Sequence, residues 1–406
     1  MRLAVVSPFV DRRHGTERAL AELLERLAGN CGCEIHLYSQ RVKDLQLSDP
    51  RSARSAVSTG SGAIFWHQVP SIPGPHVAQF LAWMFLNGFL RWWHTTLGGV
   101  SYDLVLSPGI NCLHADVVIV HALFYRLKEL THEEKQDRTA HAGFLRRLHR
   151  RVYYGLLTAL ERRIYSDSRV TLAAVSKRTA GLLEEYFHRE DVCVIPNGVD
   201  ANHFSVAARL ARRSEARQRR SIRDEDFVLL LIGNDWRNKG LPTILEAMAA
   251  LPGLPVRLLV VGNDNVELFR ARAMQLGVQD RCRWERSSLE VLDFYAAADV
   301  YVSPSREDSF GLPVAEAMAC GLPAITSVCA GVSDYIHDAL DGFVLREPRE
   351  AQTLSELIAR LQAEPDLRRK VGEAASKTIL EWDWNRNAAA LWELLKNTKK
   401  QRPMRD

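Results

Sequence analysis

The sequence predicts an α/β protein built from two Rossmann-like domains, each a parallel sheet covered by helices on both faces. Three observations carry that expectation. Short apolar runs alternate with longer helical patterns along the chain, which is the signature of parallel strands joined by helices. The alternation runs through one half, stops at a Pro-Asn-Gly break near residue 196, and resumes, giving more strands than one sheet would comfortably hold. The length, 406 residues, suits two or three domains, and 47% hydrophobic against 25% charged residues is an ordinary globular balance.

The elements follow in order. Residues 3–6 form a first strand. Residues 16–28 form a helix with apolar positions at Ala19, Leu20, Leu23, Leu24 and Leu27. Residues 34–38, 104–106, 117–120, 170–175 and 192–195 read as further strands. Pro196, Asn197 and Gly198 then stop the last of these. The second half supplies strands at 227–232, 256–261, 300–302 and 324–326, with helices between. The domain limits expected are 1–200, 201–381, and a closing segment over 382–406. Between the two halves, residues 207–223 carry Arg209, Arg212, Arg213, Arg217, Arg219, Arg220 and Arg223. They read as an exposed connecting helix or loop, with a solvated charged surface as the default role.

Composition removes several function classes. Lys+Arg 53 against Asp+Glu 49 gives +4. That is too mild for a dedicated nucleic-acid binder, and no nucleic-acid partner is expected. Seven scattered cysteines fit reduced core thiols of a cytosolic protein. The apolar start is short and broken by Pro8, so it reads as a buried strand rather than a signal peptide. The longest apolar stretch, residues 77–90, is interrupted by Gln79, Asn87 and Gly88 and is too short to span a bilayer.

The chemistry concentrates in residues 304–323, PSREDSFGLPVAEAMACGLP. Pro313 suits the first turn of a helix, where its missing N–H would have no partner. Gly321 suits its C-terminal stop. The amides of Phe310, Gly311 and Leu312, with Ser309 just before them, then lie at a helix N-terminus, where an anion is favoured. Asp308 precedes that terminus and Glu316 lies about one turn inside. A pyrophosphate flanked by sugar hydroxyls matches that pattern. The plainer reading of Asp308 alone is a helix cap.

This string resembles the signature of the family 4 retaining glycosyltransferases of GT-B fold. Their pattern sets two acids with seven residues between them around a Phe-Gly-Leu-Pro turn, followed by Glu-Ala-Met-Ala-Cys-Gly. Here the first acid is Asp308 where the family has Glu. The resemblance implies that Glu316 holds the nucleotide ribose and Asp308 contacts the donor sugar. It extends to His14-Gly15-Thr16-Glu17-Arg18, similar to the family's glycine-rich turn after the first strand, with His14 in place of one glycine. A turn at Gly15 and Thr16 would bring backbone close to a phosphate or sugar. His121 follows the strand at 117–120, at the sheet edge where open α/β sheets bind ligands. The resemblance implies a place near the donor sugar and acceptor.

After the first strand of the second half comes Gly233-Asn234-Asp235-Trp236-Arg237-Asn238-Lys239-Gly240. Lys239 matches a family cation that binds the donor pyrophosphate. Asn234 stands where the family has Arg, and Arg237 is the candidate substitute charge. Two cations on a departing diphosphate do what a metal does elsewhere. Residues 195–200 resemble the family's hinge segment, and Trp382-Asp383-Trp384 its C-terminal aromatic motif, ahead of a helix that returns to the first domain. No metal set is visible, and no cofactor or metal is expected.

Residues 77–93 hold Phe80, Leu81, Trp83, Met84, Phe85, Leu86, Phe89, Leu90, Trp92 and Trp93. Residues 144–154 mix Arg146, Arg147, Arg150 and Arg151 with apolar side chains. Core packing and a solvated basic face explain them separately. Together they suit an anionic membrane surface. The expectation is therefore a cytoplasmic enzyme, peripheral on the inner face of the membrane. It would move a hexose from a nucleotide-sugar, a UDP-sugar ahead of GDP-mannose, to a glycan or glycolipid acceptor. Two rivals share the fold: a nucleotide-sugar epimerase, and an inactive nucleotide-sugar-binding subunit.

Overall fold

The computed structural model describes residues 1–12, 15–48, 62–136, 144–288 and 290–401. The side chains of residues 132–136 and 144–147 also lie outside the description. The chain divides into two units, one of residues 1–196 and 385–406 and one of residues 197–384. The last helix, Trp384–Gln401, thus belongs to the first unit for nearly all its length.

Among the described residues, the main sheet of the first unit holds seven parallel strands, beside a short parallel pair of Phe9–Val10 with Arg41–Val42. Across the sheet they run Ala63–Gln68, Glu34–Ser39, Arg2–Val6, Leu104–Pro108, Val117–Val120, Thr171–Ala174 and Cys193–Val194. The second unit holds six: Cys282–Glu285, Val256–Val261, Phe227–Ile232, Val300–Ser303, Ala324–Ser327 and Phe343–Leu345. In both, the first strand in sequence lies centrally. The second and third are on one side of it, and the fourth and later strands are on the other. This is the doubly wound order, and it sets the ligand edge where the order reverses, at the C-terminal ends of the first and fourth strands. Central strands such as Phe227–Ile232 are apolar along nearly their whole length because helices cover both faces.

Three strands of the two main sheets escaped the sequence reading, Ala63–Gln68, Cys282–Glu285 and Phe343–Leu345, as did the short pair Phe9–Val10 and Arg41–Val42. The first two mix polar with apolar residues (AIFWHQ and CRWE) and the third is only three residues long. All three lie at sheet edges, where burial no longer enforces a continuous apolar run.

The arginine-rich segment corrects an expectation. Residues 206–219 form a helix capped by the Ser205 hydroxyl, which accepts from the Ala208 amide. It is not a solvated connector. Arg217 is 5% exposed and donates to the carbonyls of Ala297, Arg223 and Asp226. Arg213 donates to the carbonyls of Ala296 and Ala298 and pairs with Asp299 at 2.6 Å. Arg209 donates to the carbonyl of Cys320 at 2.6 Å. The guanidinium forks satisfy carbonyls that helix ends leave without intrahelical partners.

Helix His76–Thr96 is two-faced. Trp83 and Asn87 are buried, and Phe80, Met84, Leu86 and Leu90 pack against the core of the first unit. On the other face Phe85 is 70% exposed, with Leu81, Phe89, Trp92 and Trp93 about half exposed. No helix among the described residues is long and apolar enough to cross a membrane.

Candidate functional site

In the second unit the reversal point is occupied by two loops. One leaves strand Phe227–Ile232 and one leaves strand Val300–Ser303. They are tied by backbone and side chain: the Arg306 amide donates to the Asn238 carbonyl at 2.7 Å, and Asn238 Nδ2 donates to the Glu307 carbonyl at 2.7 Å. Gly240, at φ 83°, permits this approach, since a Cβ there would lie 2.2 Å from the Pro304 carbonyl oxygen. Within this frame Lys239 Nζ is hydrogen-bonded and ion-paired to Asp308 Oδ2. Both side chains are mostly buried, at 17% and 14% exposure. The stem of Lys239 runs over Gly233, whose hypothetical Cβ would meet Lys239 Cε at 3.2 Å.

Asp308 is not a helix cap. Gly311 holds the N-cap position of helix Leu312–Ala319 at φ 94°, with no side-chain cap hydrogen bond. Asp308 instead pairs its backbone with Cys329 and Gly331, and the Phe310 carbonyl accepts from Val332 at 2.6 Å. The segment carrying Asp308, Ser309 and Phe310 is thereby held beside the next loop, with the amides of Gly311 and Leu312 at the helix start. Pro313 sits in the first turn, and the helix ends before Gly321 at φ 69°.

Glu316 faces inward at 3% exposure. The Tyr295 hydroxyl donates to Glu316 Oε2 at 2.7 Å. Asn234, standing where a family Arg was expected, accepts from the Asn263 amide at 2.8 Å, so its side chain braces the neighbouring loop. Gly262 makes that contact feasible: a Cβ there would fall 2.0 Å from the Gly233 carbonyl oxygen. Arg237 is half-buried in the same loop as Lys239.

The first unit holds the remaining candidates. His121 directly follows strand Val117–Val120 and is 7% exposed. Among the described residues its Nε2 has no hydrogen-bond partner. Burial pushes its pKa down to about 4, so the ring is neutral near pH 7. Just beyond it, the amides of Phe124 and Tyr125 donate to Glu161 at 2.6 and 2.9 Å, so Glu161 caps the helix Phe124–Gln136 that follows the His121 loop. Burial raises this carboxyl to about 7, against those amide bonds. Gly15 and Thr16 are the first two residues of helix Gly15–Cys31 and are exposed. The glycine heads the helix itself, a correction to the turn expected there. His14 lies outside the described residues.

Sequence reasoning missed Tyr295, Asn238 and Glu161. Tyr295 and Glu161 lie within helices that carry no motif, and Asn238 stands between Arg237 and Lys239, the charged candidates of its loop. The glycine that ends each of strands 227–232 and 256–261 was the available signal for closely packed loops. Among the described residues there is no group of three or more His, Cys, Asp or Glu side chains that could hold a metal ion.

Known proteins match this arrangement in both halves. Residues 13–203 match the model of glycosyltransferase family 4, and residues 212–378 that of the glycosyl transferases group 1. The chain belongs to the family 4, group 1 glycosyltransferases. It is 30% identical over 239 residues to the lipopolysaccharide glucosyltransferase WaaG of Escherichia coli, covering 57% of this chain and 63% of that one. It is 29% identical over 257 residues to a D-inositol 3-phosphate glycosyltransferase of Xylanimonas cellulosilytica, covering 60% and 61%. The matched stretch thus spans about three fifths of these curated relatives.

Among solved structures, a crystal structure of WaaG, described as a glycosyltransferase involved in lipopolysaccharide biosynthesis, aligns with a TM-score of 0.76 at 22% identity. It covers 97% of this chain and 99% of that one. The Anabaena protein HepE in complex with UDP-glucose aligns at 0.70 and 17% identity, covering 98% and 100%. The chain therefore has the GT-B fold that the motifs of residues 304–323 implied.

Proposed function

We propose that the protein is a retaining, metal-independent glycosyltransferase. It transfers a hexose from a nucleotide-sugar, a UDP-sugar before GDP-mannose, to a cell-envelope glycolipid, lipopolysaccharide or polysaccharide. One observation carries the reading: Lys239 and Asp308 meet at the strand-order reversal, beside the start of helix Leu312–Ala319. A cation, helix amides and a carboxylate at one sheet edge suit a sugar diphosphate. In the reaction the acceptor hydroxyl attacks the anomeric carbon on the face the diphosphate leaves. The bond from that carbon to the phosphate oxygen breaks, and the hydroxyl proton passes to the departing phosphate. Lys239, helped by Arg237 and the amides near Gly311, stabilises the charge that develops. Glu316 holds the ribose and Asp308 the sugar. His121, neutral and with an unpartnered Nε2, hydrogen-bonds at the reacting centre, with Gly15 and Thr16 on the same unit serving the acceptor. The name of WaaG and the UDP-glucose complex of HepE favour a UDP-sugar and an envelope acceptor.

The exposed face of helix His76–Thr96 supports a peripheral seat on an anionic, cytoplasmic membrane surface. That helix has no acidic residue, and Arg150 and Arg151 are exposed on the neighbouring helix Phe144–Tyr165. His76 and Tyr153 bring the two helices within ring contact at 6.4 Å. The side chains of Arg146 and Arg147 lie outside the described residues.

The test is nucleoside-diphosphate release from a panel of UDP-, GDP- and ADP-sugars, with and without an envelope-lipid extract. Release from one donor, raised by the extract and abolished in an Asp308→Ala/Glu316→Ala variant, is the expected result. An isomerised nucleotide-sugar, or nucleotide binding without any release, would overturn it.

A further inference from the structure

The arginine helix and Glu316 are connected through one side chain that none of the motifs contains. Tyr295 is 0% exposed on helix Leu292–Ala297. Its ring packs edge-on against Phe204 with centroids 5.8 Å apart. Its hydroxyl reaches Glu316 Oε2 at 2.7 Å and lies 3.2 Å from the Pro313 carbonyl. With one hydrogen to give, the phenol favours the shorter, charge-assisted bond to the carboxylate. Burial and the neighbouring Glu316 charge both raise the Tyr295 pKa well above its ordinary value, so the phenol keeps that proton.

The helix bearing Tyr295 is itself fixed from behind. Arg213 and Arg217 donate to the carbonyls of Ala296, Ala297 and Ala298, where that helix ends. On the Glu316 side, Arg209 donates to the Cys320 carbonyl at the end of helix Leu312–Ala319. One helix thus anchors the C-terminal ends of the two helices whose side chains meet. A carboxylate 3% exposed needs such donors, because a buried charge without them is costly.

We propose that Tyr295 is a positioning residue that orients the Glu316 carboxylate for the ribose of the nucleotide. This rests on the reading of Glu316 as the ribose-holding acid. Tyr295 touches no reacting atom; it acts by removing rotamer freedom from Glu316 and occupying one of its oxygens. The hydroxyl therefore matters for binding the nucleoside, and much less for the chemical step.

The test is a double-mutant cycle with UDP, GDP and ADP as probes, read by isothermal titration and paired with thermal unfolding. Tyr295→Phe keeps the ring and its packing. It is expected to weaken binding of whichever probe the wild type prefers by roughly tenfold, the scale of one hydrogen bond to a charged group. In a Glu316→Ala background the same change is expected to have no further effect. With the preferred donor sugar, KM should rise while kcat changes by less than about threefold.

Unchanged affinity in Tyr295→Phe, beside a clear loss in Glu316→Ala, would sink the positioning role alone. Equal losses from Tyr295→Phe in both backgrounds would do the same, since a purely structural effect is independent of Glu316. Unchanged affinity in Glu316→Ala, or a wild type that binds none of the three probes, would remove the ribose reading first and the proposal with it.

Discussion

The Lys239 ammonium is paired with the Asp308 carboxylate across two loops that leave neighbouring parallel strands. Each group satisfies a charge the other could not leave buried alone. On the proposed reading, a donor diphosphate would draw Lys239 toward itself, and a sugar hydroxyl would take the bond that Asp308 gives up.

Removing either partner is therefore expected to act on both stability and rate. Lys239→Met should lower kcat/KM by about a hundredfold or more, the scale of one lost charge-stabilising donor. It should also cost about 1–3 kcal/mol in urea unfolding through the unpaired Asp308. Asp308→Asn should lose activity with a smaller stability cost, because an amide can still accept from Lys239. Steady-state kinetics and urea melts on both variants check this.

Two glycines give opposite expectations. Gly240 needs φ 83° and has no room for a Cβ beside Pro304, so Gly240→Ala should cost roughly 2–4 kcal/mol and most activity. Gly181 lies exposed within helix Lys177–Phe187, with nothing within 4 Å of where an alanine methyl would sit. Gly181→Ala should stabilise by about 0.5–1 kcal/mol and leave activity alone. Chemical denaturation of the two variants side by side decides it.

Acid should weaken the first unit. His36, His67 and His94 cluster on its sheet edge, with His36 Nδ1 and His67 Nε2 2.8 Å apart, His36 Nε2 on Glu34 at 3.0 Å, and His94 on the Tyr38 hydroxyl at 2.7 Å. Burial lowers all three, His67 to about 3, and lowers His121 to about 4. A depressed imidazole takes its proton in the unfolded chain first, near pH 6.5. Stability is full above that pH and falls as pH drops below it, by about 1.4 kcal/mol per pH unit for His67 and His121 until their folded values are reached, with His36 and His94 adding in the same direction. Glu161, raised to about 7, works in the opposite sense between pH 4.5 and 7, against the two strongly lowered imidazoles of His67 and His121 and the same-direction shifts of His36 and His94. Urea midpoints at pH 7.5 and 5.0 should differ clearly, and His67→Gln should narrow the gap.

The aromatic face of helix His76–Thr96 has its own test. Phe85, Phe89 and Trp92 are exposed and in ring contact in sequence, with centroids 6.3 and 5.8 Å apart. Replacing all three by Ser should cut binding to anionic phosphatidylglycerol vesicles by about tenfold or more while leaving the thermal midpoint within a few degrees. Equal binding by the variant would count against a membrane role for this face.

Much of this was legible from single stretches of chain. Residues 227–232, and 256–261 apart from Arg257 near the strand's start, announce buried parallel strands because positions covered on both faces must be apolar. Gly311, Pro313 and Gly321 bracket a helix by backbone chemistry alone. The illegible parts are contacts between distant residues. Nothing in the run of residues 207–223 says that Arg217 will be buried under the carbonyls of another helix. Nothing around Asp308 says that its partner lies 69 residues earlier. Edge strand Cys282–Glu285 hid because two of its four residues carry charge. A sequence exposes what one element needs for itself, and is silent where two elements satisfy each other.

The closing helix, Trp384–Gln401, has a consequence for how the molecule is made. Its Asn387 donates to the Pro196 carbonyl, Thr398 meets Thr171 at 3.2 Å, and Lys399 pairs with Asp103 at 2.7 Å. The first unit is therefore discontinuous in the chain, while the second is a single uninterrupted segment. During synthesis the later-translated unit emerges whole and can finish folding first. The unit begun at the N-terminus lacks one of its helices until residues 384–401 have also emerged.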